Sequence, residues 1–124
     1  GDHRDLHSFP TPTLFRSLLS RVNPGTHITA MGSDTLTKQE LVPSILTEAD
    51  LVVADSKSQC EVRGEIHQAL KSNDFSMDDV VELGEIISGK TTGRTSDSQI
   101  TIADLTGVAV QDIQISKAVL KYLL

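Results

Sequence analysis

An acid and a base, Asp34 and Lys38, lie four residues apart in the polar stretch MGSDTLTKQEL at positions 31–41. The apolar run HITAM (27–31) leads directly into it. A carboxylate at the mouth of a buried strand can act as a general base. A helix cap is the alternative, but Pro43, the next helix start, is nine residues further on, so capping explains Asp34 poorly. Lys38 could equally form an exposed ion pair with Glu40 or Asp34.

Two further apolar runs end in the same way as the first. The polar endings are Gly-Ser-Asp (32–34) after HITAM (27–31), Asp55 and Ser56 after DLVVA (50–54), and Asp-Leu-Thr-Gly (104–107) after QITIA (99–103). If the three runs are parallel strands, these residues gather at the carboxyl edge of the sheet, where open α/β sheets bind ligands. For Asp55 and Ser56 we favour helix capping over a site role.

Helical patterns separate the runs. The first two cover PSILTEA (43–49) and KSQCEVRGEIHQALKS (57–72), the latter with Val62 and Ile66 on one face. A third begins at the capping box SMDD (76–79), carries Val80 and ends at Gly89. The last covers residues 108–124. A helix is also predicted over 13–22. Alternating strands and helices predict an α/β fold with a parallel sheet. Strands that are apolar throughout indicate a sheet covered on both faces.

Composition narrows the classes of function. The 124 residues carry a net charge of −6 and show no Lys/Arg cluster, which argues against nucleic-acid binding. No apolar run is long enough to cross a bilayer, and GDHRDLHSF at the start lacks the apolar segment of a signal peptide. The single cysteine allows no internal disulfide. We therefore expect a cytoplasmic protein without nucleic-acid or membrane partners.

Other candidate sites carry less weight. GEIISGKT (84–91) satisfies the phosphate-loop pattern, but a helix-like segment precedes it and no helix follows, so we interpret it as a helix end with Gly89 as its cap. His3 and His7 have no third ligand, and no metal site is expected. Cys60 fits small core filler better than a nucleophile.

Three segments together resemble a known family. MGSDTLTKQEL, ADLVVADSKSQCEVRGEI and VVELGEIISGKTTGRTSDSQITIADLTGVAVQD resemble the C-terminal part of the ornithine cyclodeaminase/mu-crystallin family over about residues 24–124. The resemblance implies a partial Rossmann-type, doubly wound parallel sheet that lacks its N-terminal half. It also implies NAD or NADP as cofactor, and hydride transfer between nicotinamide and the α-carbon of an amino acid through an imine.

The resemblance assigns domains and site residues. Residues 1–23 would be a poorly matching lead-in, 24–107 part of the NAD(P)-binding domain, and 108–124 a helix that packs with a substrate and dimerisation domain. Asp34 takes the catalytic acid position. The cofactor positions are Met31, Gly32, Ser33, Asp34, Lys38 and Leu105, and Thr106 lies beside the substrate.

Departures from the family lead to two hypotheses. Leu36-Thr37 stands where the family has Pro-Gly, and the chain carries no G-x-G-x-x-G with a following ribose-binding acid. We therefore expect a segment of an NAD(P)-dependent enzyme that is inactive as an isolated chain. The alternative is a non-catalytic, self-associating or binding module. An edge strand at HITAM and a widely apolar last helix both predict a homo-oligomer.

Overall fold

Four parallel strands form the sheet of this computed structural model, which describes residues 22–33 and 35–123. The spatial order is β1-β4-β2-β3, and each neighbouring pair is parallel. The strands are β1 His27–Ala30, β2 Leu51–Ala54, β3 Val80–Glu82 and β4 Thr101–Asp104. The predicted α/β class with a parallel sheet is confirmed, and β1 lies at one edge of the sheet. The helix predicted over 13–22 falls almost entirely outside the described residues.

The helices connect the strands and follow the last one. They are α1 Pro43–Glu48, α2 Lys57–Cys60, α3 Gly64–Ala69, a 3-10 turn Met77–Asp79, α4 Leu83–Ile87 and α5 Ala109–Leu123. α1 begins with Pro43, whose fixed φ and missing N–H suit a first turn. The helix predicted over 57–72 is two helices, because the backbone turns at Gly64 with φ of +92°.

The predicted helix from residue 76 is wrong in its first half. The capping box of Ser76 and Asp79 is present, but it closes only the 3-10 turn. The chain then extends as β3, because Val80 pairs with Val52 of β2. Two β-branched residues beside a paired strand gain more from the sheet than from a helix.

The core lies on one face of the sheet. Register places Val52, Ile102 and Ile28 in one row and Ala54, Asp104 and Ala30 in the next, so these side chains share a face. Ile45 and Leu46 of α1 and Ile66 and Ala69 of α3 pack against it. On the opposite face Thr29 is exposed and Ala103 is half-buried, so the described residues cover that face only in part.

The last helix, α5, contributes nothing to this core. None of its described residues is buried, and its apolar side chains face outward. The exposed set comprises Val110, Ile113, Ile115, Val119, Leu120, Tyr122 and Leu123. Among the described residues, no helix has the length and apolar character that crossing a membrane requires.

Candidate functional site

Two loops begin side by side at the carboxyl edge of the sheet. Ala30 ends β1 opposite Asp104 at the end of β4. The N–H of Leu105 donates to the carbonyl of Ala30 at 2.9 Å, which extends the contact by one residue. The loop after β1, 31–41, and the loop after β4, 105–107, are therefore fixed against each other at their first residues.

The start of the first loop is held by a carboxylate from its own end. The N–H groups of Met31 and Gly32 donate to Oε2 of Glu40, at 3.2 and 2.9 Å. Met31 is 70% exposed at this point, whereas Ser33 is buried. The loop thus turns an apolar side chain outward beside the strand end and a hydroxyl inward.

Ser33 points to a buried acid on α3. Its hydroxyl donates to Oε1 of Glu65, and the same carboxylate accepts the N–H groups of Glu40 at 2.7 Å and Leu41 at 2.9 Å. Glu65 is 1% exposed. Hydrogen bonds to a buried carboxylate are stronger than neutral ones, so this group strongly restrains the loop.

Asp104 holds the beginning of α3 beneath the second loop. Its Oδ2 accepts the N–H of Ile66 at 2.8 Å. A Cβ on Gly64 would lie 2.6 Å from that same oxygen, so glycine is required by close approach as well as by its positive φ. Burial raises the pKa of Asp104 to about 6, against the opposing effect of the Ile66 amide.

Asp55 braces the second loop rather than capping α2. Its Oδ1 accepts the hydroxyl of Thr106 at 3.1 Å and the N–H of Ser56 at 2.8 Å, and its Oδ2 accepts the N–H of Gly107 at 2.7 Å. Ser56 precedes α2 but makes no side-chain cap bond. Ser56 therefore occupies the predicted N-cap position without the side-chain bond, whereas Asp55 does not cap α2 and instead bonds the loop after β4.

Cys60 lies beneath this edge as part of the core. It is fully buried, and burial, followed by the nearby charges of Asp104 and Asp55, raises the pKa of its thiol to about 12. A thiol so protonated is a poor nucleophile, in agreement with its interpretation as core filler.

A shallow groove of about 550 Å³ lies beside the first loop. It is lined by Thr35, Leu36 and Thr37 of that loop and by Val62 and Arg63 between α2 and α3. Val62, which the sequence pattern placed on one helix face with Ile66, is 54% exposed here, whereas Ile66 is buried. The break at Gly64 turns it away from the core.

The structure brings most of the predicted site residues to one edge. Met31, Gly32 and Ser33 follow β1, while Leu105, half-buried, and Thr106, buried, follow β4. Lys38 is exposed on the first loop. Asp34, the predicted catalytic acid, lies outside the described residues.

Sequence reasoning missed two of the acids that organise this edge, Glu40 and Glu65. Glu40 and Glu65 lie in helical or polar patterns where an acid is normally solvated, and only the folded loop buries Glu65. Asp104 was visible as a strand-end acid, but its role beneath α3 was not. A glycine directly before an acid inside a helical pattern, Gly64-Glu65-Ile66, is the one available signal.

The phosphate-loop pattern at 84–91 is not a phosphate loop. Contrary to expectation a strand, β3, precedes it, but α4 begins at Leu83 and occupies the first half of the motif. Gly89 has a φ of +74°, and the bonds from Gly89 N–H to Ile86 and from Lys90 N–H to Glu85 end the helix in a Schellman motif. Within the described ranges, no group of three His, Cys, Asp or Glu side chains could hold a metal ion.

Known proteins resemble this chain over most of its length. The sequence model of the ornithine cyclodeaminase/mu-crystallin family matches residues 11–123. An uncharacterized cyclodeaminase of Sinorhizobium fredii is 49% identical over 98 residues, which are 78% of this chain and 30% of the relative.

Two solved structures share the fold. An archaeal alanine dehydrogenase dimer with bound NAD is 43% identical, with a TM-score of 0.72 over 77% of this chain and 30% of its own. The iminosuccinate reductase of Paracoccus denitrificans in complex with NAD⁺ is 39% identical, with a TM-score of 0.73 over 81% and 30%. The chain thus spans about 30% of the length of these relatives.

Proposed function

Because the chain belongs to the ornithine cyclodeaminase/mu-crystallin family, we propose that it forms the nicotinamide side of an NAD(P)-dependent enzyme. The reaction class is hydride exchange between the cofactor and the α-carbon of an amino acid or its imine, as in a dehydrogenase, imine reductase or cyclodeaminase. The observation that carries the proposal is the joining of the two loops by the Leu105–Ala30 hydrogen bond, which gathers Met31, Gly32 and Leu105 at the carboxyl edge of a parallel sheet.

The described residues fit one end of such a cofactor. The exposed Met31 and the half-buried Leu105 offer apolar surface to a flat ring at the strand ends. The fit does not extend to the pyrophosphate, because the glycines of 84–91 belong to a helix and its cap. We propose that residues 24–107 supply the nicotinamide part of a cofactor domain, and that 108–124 packs on a substrate domain.

The proposed chemistry assigns a role to each loop. When bound, the nicotinamide supplies or accepts the hydride. Asp34, directly after the buried Ser33, would accept the proton that the amine nitrogen releases as the imine forms. Lys38, on the exposed part of the same loop, would contact the cofactor.

Thr106 would form one side of the substrate site and offer its hydroxyl oxygen as a hydrogen-bond acceptor. Its hydroxyl proton is directed at Asp55, so the hydroxyl is already engaged as a donor within the protein. We therefore propose that Thr106 lies beside the substrate without donating a hydrogen bond to it.

The test uses the full-length native polypeptide. Reduction of cyclic and acyclic α-imino acids with NADH or NADPH, and the reverse oxidation of amino acids, are followed at 340 nm. Turnover that falls at least about a hundredfold in D34N, with NAD(P)H still bound, is expected if Asp34 handles the proton. Full activity of D34N would contradict its role, and absence of all turnover in the native protein would contradict the proposed function. The isolated 124-residue chain is expected to be inactive.

A second candidate is a non-catalytic, self-associating module. The apolar side chains of α5, which are 50–89% exposed, favour it, because patches of this kind mark interaction surfaces. A dimer in sedimentation without cofactor binding at about 1 mM NAD(P)H would support this alternative. A monomer at micromolar concentration would contradict it.

A further inference from the structure

One buried acid has no place in the proposed reaction. Glu65 lies on α3, behind the loop after β1, and is 1% exposed. An ionised carboxylate at such a position requires strong hydrogen bonds to offset its lost hydration. Its donors therefore indicate what the residue is for.

Among the described residues, the three groups that donate to its side chain all belong to the same loop. The hydroxyl of Ser33 donates at the beginning of the loop, and the N–H groups of Glu40 and Leu41 donate at its end. A single carboxylate thus holds both ends of this loop. In the sequence, Lys38 and the proposed proton acceptor Asp34 fall between those two ends.

The backbone of Glu65 is fixed from the other loop. Asp104, which immediately precedes Leu105 and Thr106, accepts the N–H of the next residue of α3, Ile66, at 2.8 Å. The Glu65 amide also acts to lower the pKa of Asp104, against the effect of burial. A continuous set of hydrogen bonds therefore runs from the end of β4, through the first turn of α3, to the loop after β1.

We propose that Glu65 is a positioning residue for proton transfer, an inference that rests on the proposed function. Its carboxylate fixes the 31–41 loop relative to the loop after β4, and so sets the distance between the proton acceptor and the substrate. Proton transfer depends steeply on such distances, and a displacement of about 1 Å can cost a hundredfold in rate.

The isosteric variant E65Q provides the sharpest test. Oε1 accepts from Ser33 and Glu40, and Oε2 accepts from Leu41. A glutamine must turn its NH₂ group toward one of these donors, so the loop has to move although the volume is kept. D50N is the matched control, because Asp50 accepts the N–H of Ile100 at the amino ends of the strands, away from the proposed site.

In the full-length polypeptide we expect E65Q to lower kcat about tenfold to a hundredfold, with KM for the imine changed less than about threefold. The pKa seen in the pH profile of kcat should shift, because the proton acceptor has moved. S33A should lower kcat less, and adding S33A to E65Q should have little further effect, since both act through one contact. D50N should leave kcat and its pH profile unchanged.

A purely structural role predicts a different pattern. Activity would then fall only in proportion to the folded fraction measured by circular dichroism, and the pH profile would keep its shape. That result, or native kcat in E65Q, would overturn the proposal. If E65Q does not fold, S33A alone decides: an unchanged kcat and pH profile in a folded S33A would overturn it.

Hydrogen exchange separates this proposal from the proposed function. The amides of Glu40 and Leu41 donate to Glu65 and should be protected in the native protein. In E65Q their exchange should accelerate at least about tenfold relative to D50N. Unchanged exchange would overturn the proposal that Glu65 fixes the loop after β1. Faster exchange in a protein without turnover would support this role of Glu65 and contradict only the enzymatic proposal.

Discussion

Asp55 at the end of β2 and Thr106 after β4 are joined side chain to side chain across 3.1 Å. The same carboxylate accepts the N–H of Gly107, so the loop after β4 is tied to a strand adjacent to its own. The shape of this side of the proposed substrate site therefore depends on a residue that does not belong to that loop.

Two substitutions at Thr106 separate the contribution of its hydroxyl to stability from that of its side-chain volume. T106V keeps the shape and removes the bond to Asp55, whereas T106S keeps the hydroxyl. We expect T106V to lower the free energy of unfolding by about 1–2 kcal/mol, because Asp55 loses one donor while it remains partly buried. T106S should cost less than T106V. Urea denaturation measures both, and equal losses would show that the hydroxyl bond contributes nothing.

Three glycines allow the steric contact of an added Cβ to be separated from the cost of a positive φ. Gly64 has a positive φ and no room for a Cβ, Gly89 has a positive φ with open space, and Gly84 in α4 has neither constraint. We expect G64A to destabilise by more than about 3 kcal/mol, G89A by about 1 kcal/mol, and G84A to be neutral or stabilising by up to about 1 kcal/mol. Thermal or urea unfolding of the three variants gives the order. A G64A loss no larger than that of G89A would contradict the contact with Asp104.

The buried Asp104 makes stability depend on pH. Its pKa of about 6 is raised from 3.8, so between these values the folded state keeps a proton that the unfolded state has lost. Stability from this group is therefore complete below about pH 4 and is lost as the pH rises through about 6, by up to about 3 kcal/mol. D104N cannot titrate and should lack this component.

Unfolding of D104N and of the native protein between pH 4 and 7.5 provides the measurement. The difference in unfolding free energy between them should change steadily in favour of D104N as the pH rises. A difference that is constant over this range would show that Asp104 titrates normally.

Cys60 should resist thiol reagents. Because its thiol is buried and its pKa is about 12, alkylation at pH 8 should proceed only through opening of the structure. The rate should approach that of an unfolded peptide only in denaturant. Rapid modification of the native protein would contradict the burial of Cys60 beneath the edge.

The strands and their polar ends could be predicted from the sequence because a short apolar run with a polar terminus has few other interpretations. β3 could not, since three residues after a capping box favour a helix locally and only pairing with β2 reverses this. Likewise, Gly64 is only a weak local signal of a break, because isolated glycines also occur inside helices. The break follows from the carboxylate of Asp104, which lies 38 residues further along the chain than its partner Ile66.

The predicted edge was right in position and included Asp55 and Asp104, but the contacts of the acids that shape it were not predicted. Asp55 was assigned to capping because short-range hydrogen bonds are what a sequence reveals, whereas its partners Thr106 and Gly107 come from a distant loop. Glu65 was passed over because an acid on a helix is normally solvated. Both contacts exist only once the two loops meet.

The most direct test of the central claim is titration of the ¹⁵N-labelled full-length protein with NADH, followed by amide spectra. If the loops after β1 and β4 face the nicotinamide, the amides of Met31, Gly32 and Leu105 should shift together on binding. The amide signals of Asp50 and Asp79, at the amino ends of the strands, should not shift. Shifts confined to the amino ends, or binding that leaves all three of the first set unmoved, would contradict the account.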